Sequence, residues 1–266
     1  MQDISLVVVS CDAYTELGYI FFELQEKFMG WFTDNRYFIN ETKYFEYKNV
    51  ITVHVGEGHE WSDKVRIALN SIHTKYVLFM LEDYFIGKEV EESNIKQAID
   101  IMNNYNLKYY KIKAVPQIKG TSHIADFLVG IPANKRYGIN LQAALFERGF
   151  LLDIVKKEGQ NAWQVENELN KNVQEESNDL IPGCFLDKRE IIDIHNGVVK
   201  GRWLPQTLSY FNSIGYCIDV GDRPIMRRKE LIRMKIVGKC SRMFSAKSTR
   251  RIKRLLKRLG FKFVTD

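Results

Sequence analysis

The sequence predicts an α/β fold with a mostly parallel sheet that is flanked by helices. Three runs rich in apolar and β-branched residues have the length of buried strands: Ile4–Val9, Val50–Val55 and Tyr76–Leu81. Helical patterns, Thr15–Met29 and Trp61–Ile72, separate these runs. Strands that alternate with helices need crossover connections, which produce a parallel sheet covered on both faces. Ligands of such sheets bind outside the carboxyl ends of the strands.

The second predicted helix has a clear buried face and a clear start. Ser62 suits the N-cap position, and Asp63 suits the positive end of the helix. Apolar residues recur with the i, i+3, i+4, i+7 spacing of one buried face at Val65, Ala68, Leu69 and Ile72.

The pattern of the following residues is less regular. Residues Thr121–Tyr137 are predicted to form a long irregular loop. We predict helices and strands in the order helix Glu91–Tyr105, strand Tyr109–Val115 ended by Pro116, strand Ile139–Phe146, helix Phe150–Lys157, helix Asn161–Asn170 and strand Ile191–His195.

Length and composition indicate one large domain with an appendage. The chain has 266 residues, of which 45% are hydrophobic, enough for a substantial core. We expect residues 1–225 to form the domain, with one half at about 1–115 and the other at about 116–225. Residues 226–266 form a basic tail.

Cysteine usage and hydropathy predict a cytoplasmic protein. No two of the four cysteines form a CxxC pair, which argues against a zinc cluster or a redox dithiol. The run Ile4–Val9 is too short for a signal peptide core, and no stretch has the length of a membrane span. A reducing compartment is therefore expected.

The net charge of +6 arises from the tail alone. Residues 226–266 hold fifteen Lys and Arg but only Glu230 and Asp266 as acids, which leaves 24 basic and 31 acidic residues in the rest of the chain. The body is thus mildly acidic, so the high pI does not indicate nucleic-acid binding by the body.

The end of the tail has the composition of a helix that lies on a membrane surface. Ile252, Leu255, Leu256 and Leu259 share one helical face, and the other face is almost entirely basic. A nucleic-acid-binding arm and a partner-docking helix are the alternatives. We favour an anionic membrane surface and no nucleic acid, which predicts a peripheral protein on the inner face of the cell membrane.

An acidic pair, Glu82-Asp83, follows the third predicted strand directly. Adjacent carboxylates next to six apolar residues are costly to bury without a counter-charge. Mg²⁺ or Mn²⁺ prefers such hard oxygen ligands and bridges to a diphosphate. An acidic turn without function is the alternative.

The run Trp61–Phe85 resembles the donor-binding half of GT-A fold glycosyltransferases, in particular bacterial capsule and O-antigen sugar transferases. The similar residues are Arg66, Ala68 and Asn70 on the helix, then the strand Tyr76–Leu81 and Glu82-Asp83-Tyr84-Phe85. The resemblance implies a GT-A type, Rossmann-like fold over roughly residues 4–210. Here the motif is Glu-Asp rather than Asp-x-Asp, so we expect Asp83 to be the metal ligand, with Glu82 acting through water.

The resemblance also implies donor contacts at the end of the first strand and on the second helix. Ser10, Cys11, Asp12 and Tyr14 are expected near the base and ribose, with Tyr14 able to stack; ordinary turn chemistry is the alternative. Asp63 and Arg66 are expected near the uridine or diphosphate, and a solvated helix face is their alternative.

The general base is expected in the second half of the chain. The group that the chain resembles has an N-P-W-x-x-E segment after a strand, and this chain has Trp163-x-x-Glu166 after Leu141–Phe146. We expect Glu166 to be the base that deprotonates the acceptor hydroxyl, with Glu168 in reserve and Trp163 as a wall for the acceptor. The alternative is an exposed amphipathic helix.

Two further positions complete the predicted site. The family often uses a late histidine as a metal ligand, which points to His195, although a structural role is the alternative. Lys200 and Arg202 flank Gly201 in a basic loop that is expected to cover the donor diphosphate and to stabilise the leaving group.

These features predict a nucleotide-sugar glycosyltransferase. The donor is expected to be a UDP-sugar, and the acceptor a glycan or a polyprenyl-linked precursor of a surface polysaccharide. A nucleotidyltransferase is the first alternative, but the stretch Ser10–Tyr14 lacks the glycines of a phosphate loop. The second alternative is a non-catalytic, glycan-binding protein on the membrane surface.

Overall fold

The computed structural model describes residues 3–171, 173, 177 and 179–233. The chain divides into two compact units, Met1–Gly197 and Val198–Asp266. The sequence analysis places the start of the tail later, at residue 226, and most of that tail lies outside the described residues.

The first unit alternates strands and helices. In chain order its elements are β1 Ile4–Val9, α1 Thr15–Phe28, β2 Arg36–Asn40, β3 Val50–His54, α2 Trp61–Asn70, β4 Tyr76–Leu81, β5 Tyr84–Ile86, α3 Glu92–Asn104, β6 Tyr109–Lys111, β7 Leu128–Pro132, β8 Ala144–Glu147, α4 Arg148–Ile154, α5 Ala162–Lys171, β9 Leu180–Asp187 and β10 Ile194–Asn196.

An eight-stranded sheet in the order β3-β2-β1-β4-β8-β6-β9-β7 forms the centre of this unit. The first four strands are parallel, and the register pairs Val9 with both Ile39 and Leu81. Strand β8 runs antiparallel to both β4 and β6, β6 pairs with β9 in parallel, and β7 closes the sheet antiparallel to β9. The predicted α/β class, with a Rossmann-like parallel half, is confirmed.

The core explains why β1 and β4 are apolar along their whole length. Val7 and Val9 on β1 and Phe79 on β4 pack with Val65 and Leu69 of α2, and all five are almost completely buried. The residues that alternate with them on these strands are also buried, because the opposite face of the sheet is covered too. Full burial of one such side chain contributes roughly 1.5–3 kcal/mol.

Several predicted boundaries differ from those observed. Strand β7 lies inside the segment predicted as a loop, and strands β2 and β9 and the last helix were not predicted. Strand β6 ends at Lys111 rather than Val115, and β8 begins at Ala144 rather than Ile139. The N-cap of α2 is Glu60 rather than Ser62. Ser62 lies inside the helix because its hydroxyl accepts a hydrogen bond from Gln160 N (3.0 Å).

The second unit begins with a two-stranded hairpin, β11 Val198–Val199 and β12 Arg202–Trp203, followed by α6 Pro205–Ser213. The turn between the strands is Lys200-Gly201, and both residues have positive φ, 52° and 72°. Such φ values at both positions are those of a type I′ hairpin turn. Trp203 is buried and its indole donates to Val220 O (2.9 Å).

Candidate active site

The strand order reverses between β1 and β4, which makes their carboxyl ends the switch point of the sheet. Strands β2 and β3 lie on one side of β1, and the chain then returns to add β4 on the other side. A crevice forms outside the sheet where the order reverses, and ligands bind there. Cys11-Asp12 follows β1 and Glu82-Asp83 follows β4, so both predicted groups flank this crevice.

The Glu82-Asp83 pair forms a tight turn between β4 and the short strand β5. Strand β10 pairs with β5 antiparallel, with Asn196 opposite Tyr84 and His195 opposite Phe85. The next residue, Gly197, donates its N–H to Asp83 O (2.7 Å). The backbone of Asp83 is therefore held from both sides, by β4 and by the end of β10.

Tyr84 connects the acidic pair to the second half of the chain. Burial raises the pKa of its phenol, and the carboxylates of Asp83, Glu166 and Glu82 raise it further. The three predicted carboxylates thus lie within electrostatic range of one tyrosine. The fold brings the predicted metal pair and the predicted base, 83 residues apart in sequence, to the same end of the sheet.

Lys113 adds a cation to this group. Its ammonium lies 5.1 Å from the centre of the Tyr84 ring and donates to Asn196 Oδ1 (2.9 Å). Burial lowers the pKa of Lys113, while Asp83 and Glu190 oppose that shift. The Lys113 ammonium therefore lies within electrostatic range of the Asp83 carboxylate.

Glu166 lies on the inward side of α5. Its Oε1 accepts a hydrogen bond from Leu141 N (3.2 Å). Burial raises the pKa of its carboxyl, and the Leu141 N–H and the Lys111 ammonium offset part of that shift. A carboxylate whose pKa is raised toward neutrality has the properties of a general base.

The buried Lys111 organises the loop that contacts Glu166. Its ammonium donates to Tyr137 O (2.8 Å) and Gly138 O (3.0 Å). Tyr137 N in turn donates to Asn170 Oδ1 (2.6 Å), and Asn170 Nδ2 donates to Glu166 O (2.8 Å). Burial lowers the pKa of Lys111 to about 7. This network fixes α5 and the loop 137–141 to each other.

Asp12 holds the turn after β2. Its carboxylate accepts hydrogen bonds from Thr42 N (3.0 Å), Thr42 Oγ1 (2.6 Å) and Lys43 N (2.8 Å). Partial burial raises the pKa of Asp12, but the hydrogen bonds from Thr42 and Lys43 outweigh it, so the pKa is lowered. Asp12 N donates to Glu41, which also forms an ion pair with the buried Lys64.

The other residues after β1 line the same edge of the sheet. Ser10 is buried, and its hydroxyl donates to Cys11 O (3.3 Å). Cys11 is half-buried; burial raises the pKa of its thiol, and the nearby carboxylates of Glu82 and Glu41 add to the increase. Tyr14 ends a short 3-10 turn and is half-buried.

Asp63 and Arg66 fasten α2 to the loop before α5. Asp63 accepts from Arg66 (2.9 Å) and from Gly159 N (3.0 Å). Arg66 also donates to Lys156 O (3.2 Å) and to Glu158 (3.2 Å). These two predicted donor contacts are joined to the loop that leads into α5.

Trp163 and Glu168 lie on the outer side of α5. Trp163 is 45% exposed and borders a groove of about 540 Å³. Glu168 lines the same groove and forms an ion pair with Lys157 (2.5 Å), whose hydrogen bond lowers the pKa of the carboxyl. Glu166, the predicted base, and Glu168, the alternative base, therefore lie on different sides of α5.

The sequence analysis predicts Asp83 and His195 as metal ligands, with Glu82 acting through water, and these ligand roles stay predictions. Among the described residues, no three His, Cys, Asp or Glu side chains are grouped so as to hold a metal ion by themselves. His195 Nε2 lies 3.3 Å from Asp193 Oδ2. Mg²⁺ is commonly held by one or two carboxylates together with substrate phosphates, and the acidic pair fits that arrangement.

Lys200 and Arg202 belong to the second unit. Lys200 is the first turn residue of the β11–β12 hairpin, and Arg202 opens β12. The guanidinium of Arg202 lies 3.6 Å from Glu230. The predicted role of both cations in binding the diphosphate stays a prediction.

The sequence analysis did not identify Lys111, Lys113, Lys64 and Tyr84 as members of this site. A signal for Lys111 was present, because it follows Tyr109 and Tyr110 on β6, an inner strand of the sheet; Lys113 lies two residues after that strand ends. A charged side chain on an inner strand of a covered sheet needs a polar or oppositely charged partner. Here those partners are residues of the candidate site.

Comparison with known proteins finds likeness at the level of structure. No protein-family profile matches the chain, and no curated protein matches it. S. aureus TarS 1–349 in complex with UDP-GlcNAc has a TM-score of 0.46 at 11% identity, over 71% of this chain and 57% of that one. The same protein with UDP gives 0.47 at 12% identity, over 71% and 59%.

The 4-diphosphocytidyl-2C-methyl-D-erythritol synthase of Anaerococcus prevotii also aligns with the chain. Its TM-score is 0.36 at 10% identity, over 73% of this chain and 92% of that one. This chain spans less than two thirds of the TarS chains. Similarities of this size concern the fold, and the assignment of activity depends on the residues of the site.

In the part of the chain that the structure describes, none of the helices combines the length and the hydropathy that crossing a membrane requires.

Proposed function

We propose that the chain is a glycosyltransferase that moves a sugar from a UDP-sugar to a hydroxyl group of a glycan or polyprenyl-linked acceptor. The proposal includes inversion at the anomeric carbon and a role in the synthesis of a bacterial surface polysaccharide. The observation that carries it is that Glu82-Asp83 follows β4 at the switch point of the sheet, with the Glu166 carboxylate within electrostatic range of the adjoining Tyr84.

In the proposed reaction, Glu166 accepts the proton of the acceptor hydroxyl. The acceptor oxygen forms a bond to the anomeric carbon from the face opposite the diphosphate. The bond between that carbon and the diphosphate oxygen breaks, and UDP leaves with the electron pair. Because Glu166 Oε1 accepts from Leu141 N, we assign Oε2 as the atom that receives the proton.

The charge that develops on the leaving diphosphate needs fixed cations. Lys113 is held by Asn196 next to Asp83 and supplies one positive charge at this edge. Asp83 would hold a divalent cation, Mg²⁺ or Mn²⁺, which would supply further positive charge for the leaving group. Lys200 and Arg202 are proposed to contribute from the second unit.

The proposal is tested by donor binding and donor turnover. Thermal denaturation of the full chain with UDP, GDP and CMP, each with and without Mn²⁺, is expected to show stabilisation by UDP above the other two. Among UDP-sugars, at least one is expected to be hydrolysed slowly in the absence of acceptor. No stabilisation by any nucleotide would favour a glycan-binding protein without catalysis.

Two substitutions separate chemistry from folding. Asp83→Asn and Glu166→Gln are each expected to lower transfer a hundred-fold or more while the melting temperature changes little. Glu92→Gln on the surface of α3 is the matched control, because Glu92 pairs only with Lys96 across one helical turn. Full activity of Glu166→Gln would contradict the base assignment. Release of pyrophosphate from UTP or CTP with a sugar phosphate would support a nucleotidyltransferase instead.

A further inference from the structure

The outer side of α5 borders a groove that the proposed reaction does not use. Its volume is about 540 Å³. One side of α5, the turn before that helix and the side chain of Arg136 form it. The lining residues that bear on ligand binding are Gln160, Trp163, Gln164, Asn167, Glu168 and Asn170.

Trp163 presents a large apolar face in this groove. It is 45% exposed. By contrast, Val165, which anchors α5 in the core, and another tryptophan, Trp203, are each only 1% exposed. Most of the apolar area of a tryptophan is normally removed from water. A pyranose ring offers a flat face of C–H groups that covers such an indole, while its hydroxyls remain available for hydrogen bonds.

Gln160 presents an unpaired acceptor at the same place. Its side chain is 5% exposed, and within the described part of the chain its Oε1 has no hydrogen-bond partner. Its amide nitrogen is engaged with Glu168. A buried carbonyl oxygen without a donor is unfavourable until a ligand supplies one, and a sugar hydroxyl is a donor of the right size.

The rest of the lining is rich in amides. Gln164, Asn167 and Asn170 follow one another along α5. Asn170 is engaged with Tyr137 N and Glu166 O, and Gln164 Oε1 accepts from Asn161 N. We therefore expect ligand contacts from Asn167 and from the amide nitrogen of Gln164. An amide both donates and accepts, which matches hydroxyl groups that do the same. The acidic members of the lining are already paired, Glu168 with Lys157 and Glu158 with Arg66. Arg136 and Lys171 also line the groove, so after these ion pairs are counted its remaining charge is positive. The groove therefore suits a polar ligand that is neutral or weakly acidic.

The groove is separate from the candidate base. Glu166 leaves α5 toward Leu141 N, away from the side that carries Trp163 and Asn167. Trp163 and Glu166 are three residues apart on α5, which places their Cβ atoms roughly 5–6 Å apart, and the two side chains take different directions. An acceptor of two or more sugar units can therefore occupy the groove while one of its hydroxyl groups reaches Glu166.

We infer that the α5 groove is a saccharide-binding subsite that holds sugar units of the acceptor away from the reacting hydroxyl, with one pyranose stacked on Trp163 and hydrogen-bonded to Gln160. This inference rests on the proposed function for its biological meaning. The binding itself is a property of the groove and is measured without catalysis.

The test is saturation-transfer NMR of the full chain with three neutral oligosaccharides: cellopentaose, maltopentaose and chitopentaose. At least one is expected to bind saturably, with a dissociation constant on the order of 1 mM. Trp163→Ala is expected to weaken that binding ten-fold or more. Tyr105→Ala removes an aromatic side chain of similar exposure outside the groove and should leave binding unchanged.

A second variant guards against loss of folding. Asn167→Ala is expected to weaken saccharide binding several-fold, and UDP stabilisation of both groove variants should equal that of the native chain. Absence of saturable binding by all three saccharides would overturn the inference, as would undiminished binding by Trp163→Ala. Saccharide binding without any response to nucleotides would instead contradict the proposed function and leave the subsite intact.

Discussion

Glu166 and Lys111 carry opposite charges within electrostatic range of each other, and burial shifts the pKa of each in favour of its neutral form. Burial raises the pKa of the carboxyl and lowers that of the ammonium, while each charge partly offsets the shift of the other. Lys111 is fully buried and Glu166 is only partly exposed, so small changes at these residues are expected to alter both catalysis and stability.

The shift of Glu166 predicts the pH dependence of transfer. The base works only when ionised, and its pKa lies above the ordinary value of 4.5. We therefore expect the acid limb of a plot of log kcat/KM against pH to fall above pH 4.5 and to disappear in Glu166→Gln. The measurement is initial rates from pH 4 upward in buffers of constant ionic strength. A limb that Glu166→Gln retains would assign it to another group.

Lys111 predicts a rise in stability with pH. Its pKa is about 7 in the folded chain against 10.5 for an ordinary lysine, so the unfolded chain binds more protons between these values. The free energy of unfolding should therefore increase from about pH 7 upward, by at most about 1.4 kcal/mol per pH unit from this group.

Lys111→Met should remove the increase of the unfolding free energy with pH. Urea unfolding at pH 7, 8 and 9 measures this free energy. Lys96→Met, a change of an exposed lysine on α3, serves as the control and should leave the pH dependence as it is in the native chain. Parallel pH curves for the native chain and Lys111→Met would contradict the assigned shift.

Single residues of the site were predictable where a pattern marks them. Glu82-Asp83 follows a run of six apolar residues, so its place at a strand end could be read from the sequence. The roles of Lys111 and Lys113 could not, because they depend on β8 and β9 flanking β6 in the sheet. Hydrophobic periodicity gives the faces of a strand but not the identity of its neighbours.

At the scale of elements, the pairing of β5 with β10 fixes the acidic turn. Gly197 closes that pairing through its N–H to Asp83 O. A Cβ atom added at Gly197 would lie 2.4 Å from the ring of Phe85, which is fully buried. Because the ring is fully buried, it can move only by displacing its neighbours, so a larger residue at this position is expected to strain the pairing.

Gly197→Ala is accordingly expected to destabilise the chain by about 1–3 kcal/mol and to lower transfer by displacing Asp83. Gly58→Ala is not a suitable control, because Gly58 has a positive φ. Ala125→Gly, in the loop before β7, is used as the control. It tests whether an exchange of glycine and alanine in a loop by itself lowers stability and transfer. Unfolding in urea and initial rates give the two readouts. An unchanged free energy of unfolding would contradict the crowding argument.

The contact between α2 and the loop before α5 also belongs to this scale. Asp63→Ala leaves Gly159 N and Arg66 without their carboxylate partner, which should cost about 1–3 kcal/mol in unfolding free energy. Asp100→Ala on α3 is the control. Stability unchanged but UDP stabilisation lost would instead support the donor contact that the sequence analysis predicts for Asp63.

Elements with strong periodicity were predicted well, and short strands were not. The helices α1, α2 and α3 and the strands β1, β3 and β4 lie within a few residues of their predicted bounds. Strand β7 has five residues and forms through pairing with β9, far along the chain, which a local pattern does not reveal. Strand β9 begins with exposed residues and contains Pro182 and Gly183, which suggest a turn when taken alone.

At the scale of the whole molecule, charge is distributed unevenly along the chain. Residues 226–266 carry fifteen of the 39 basic residues, and the segment from Arg250 onward lies outside the described residues. Its proposed role on a membrane follows from composition. Each Lys or Arg near an anionic surface contributes on the order of 1 kcal/mol.

Deletion of residues 250–266 is expected to lower binding to vesicles that contain anionic lipid by ten-fold or more, while stabilisation by UDP is retained. Sedimentation with vesicles of phosphatidylglycerol and phosphatidylcholine measures the first effect, and vesicles of phosphatidylcholine alone are the control. Raising the salt concentration should weaken binding of the native chain. Equal binding of the truncated and native chains would contradict the membrane assignment.

The hydrogen bond from Gly197 N to Asp83 O can form only after the ribosome has added Gly197, long after it has added Asp83. The ribosome needs roughly 6–20 s to add the roughly 110 residues between them at 5–20 residues per second. During about the first half of that interval, until β8 has been made, β4 lacks this neighbour on one side, and its apolar edge is open to other chains. The acidic turn is therefore assembled last. A chaperone that shields β4 during synthesis should raise the yield of folded protein more than one that acts after release.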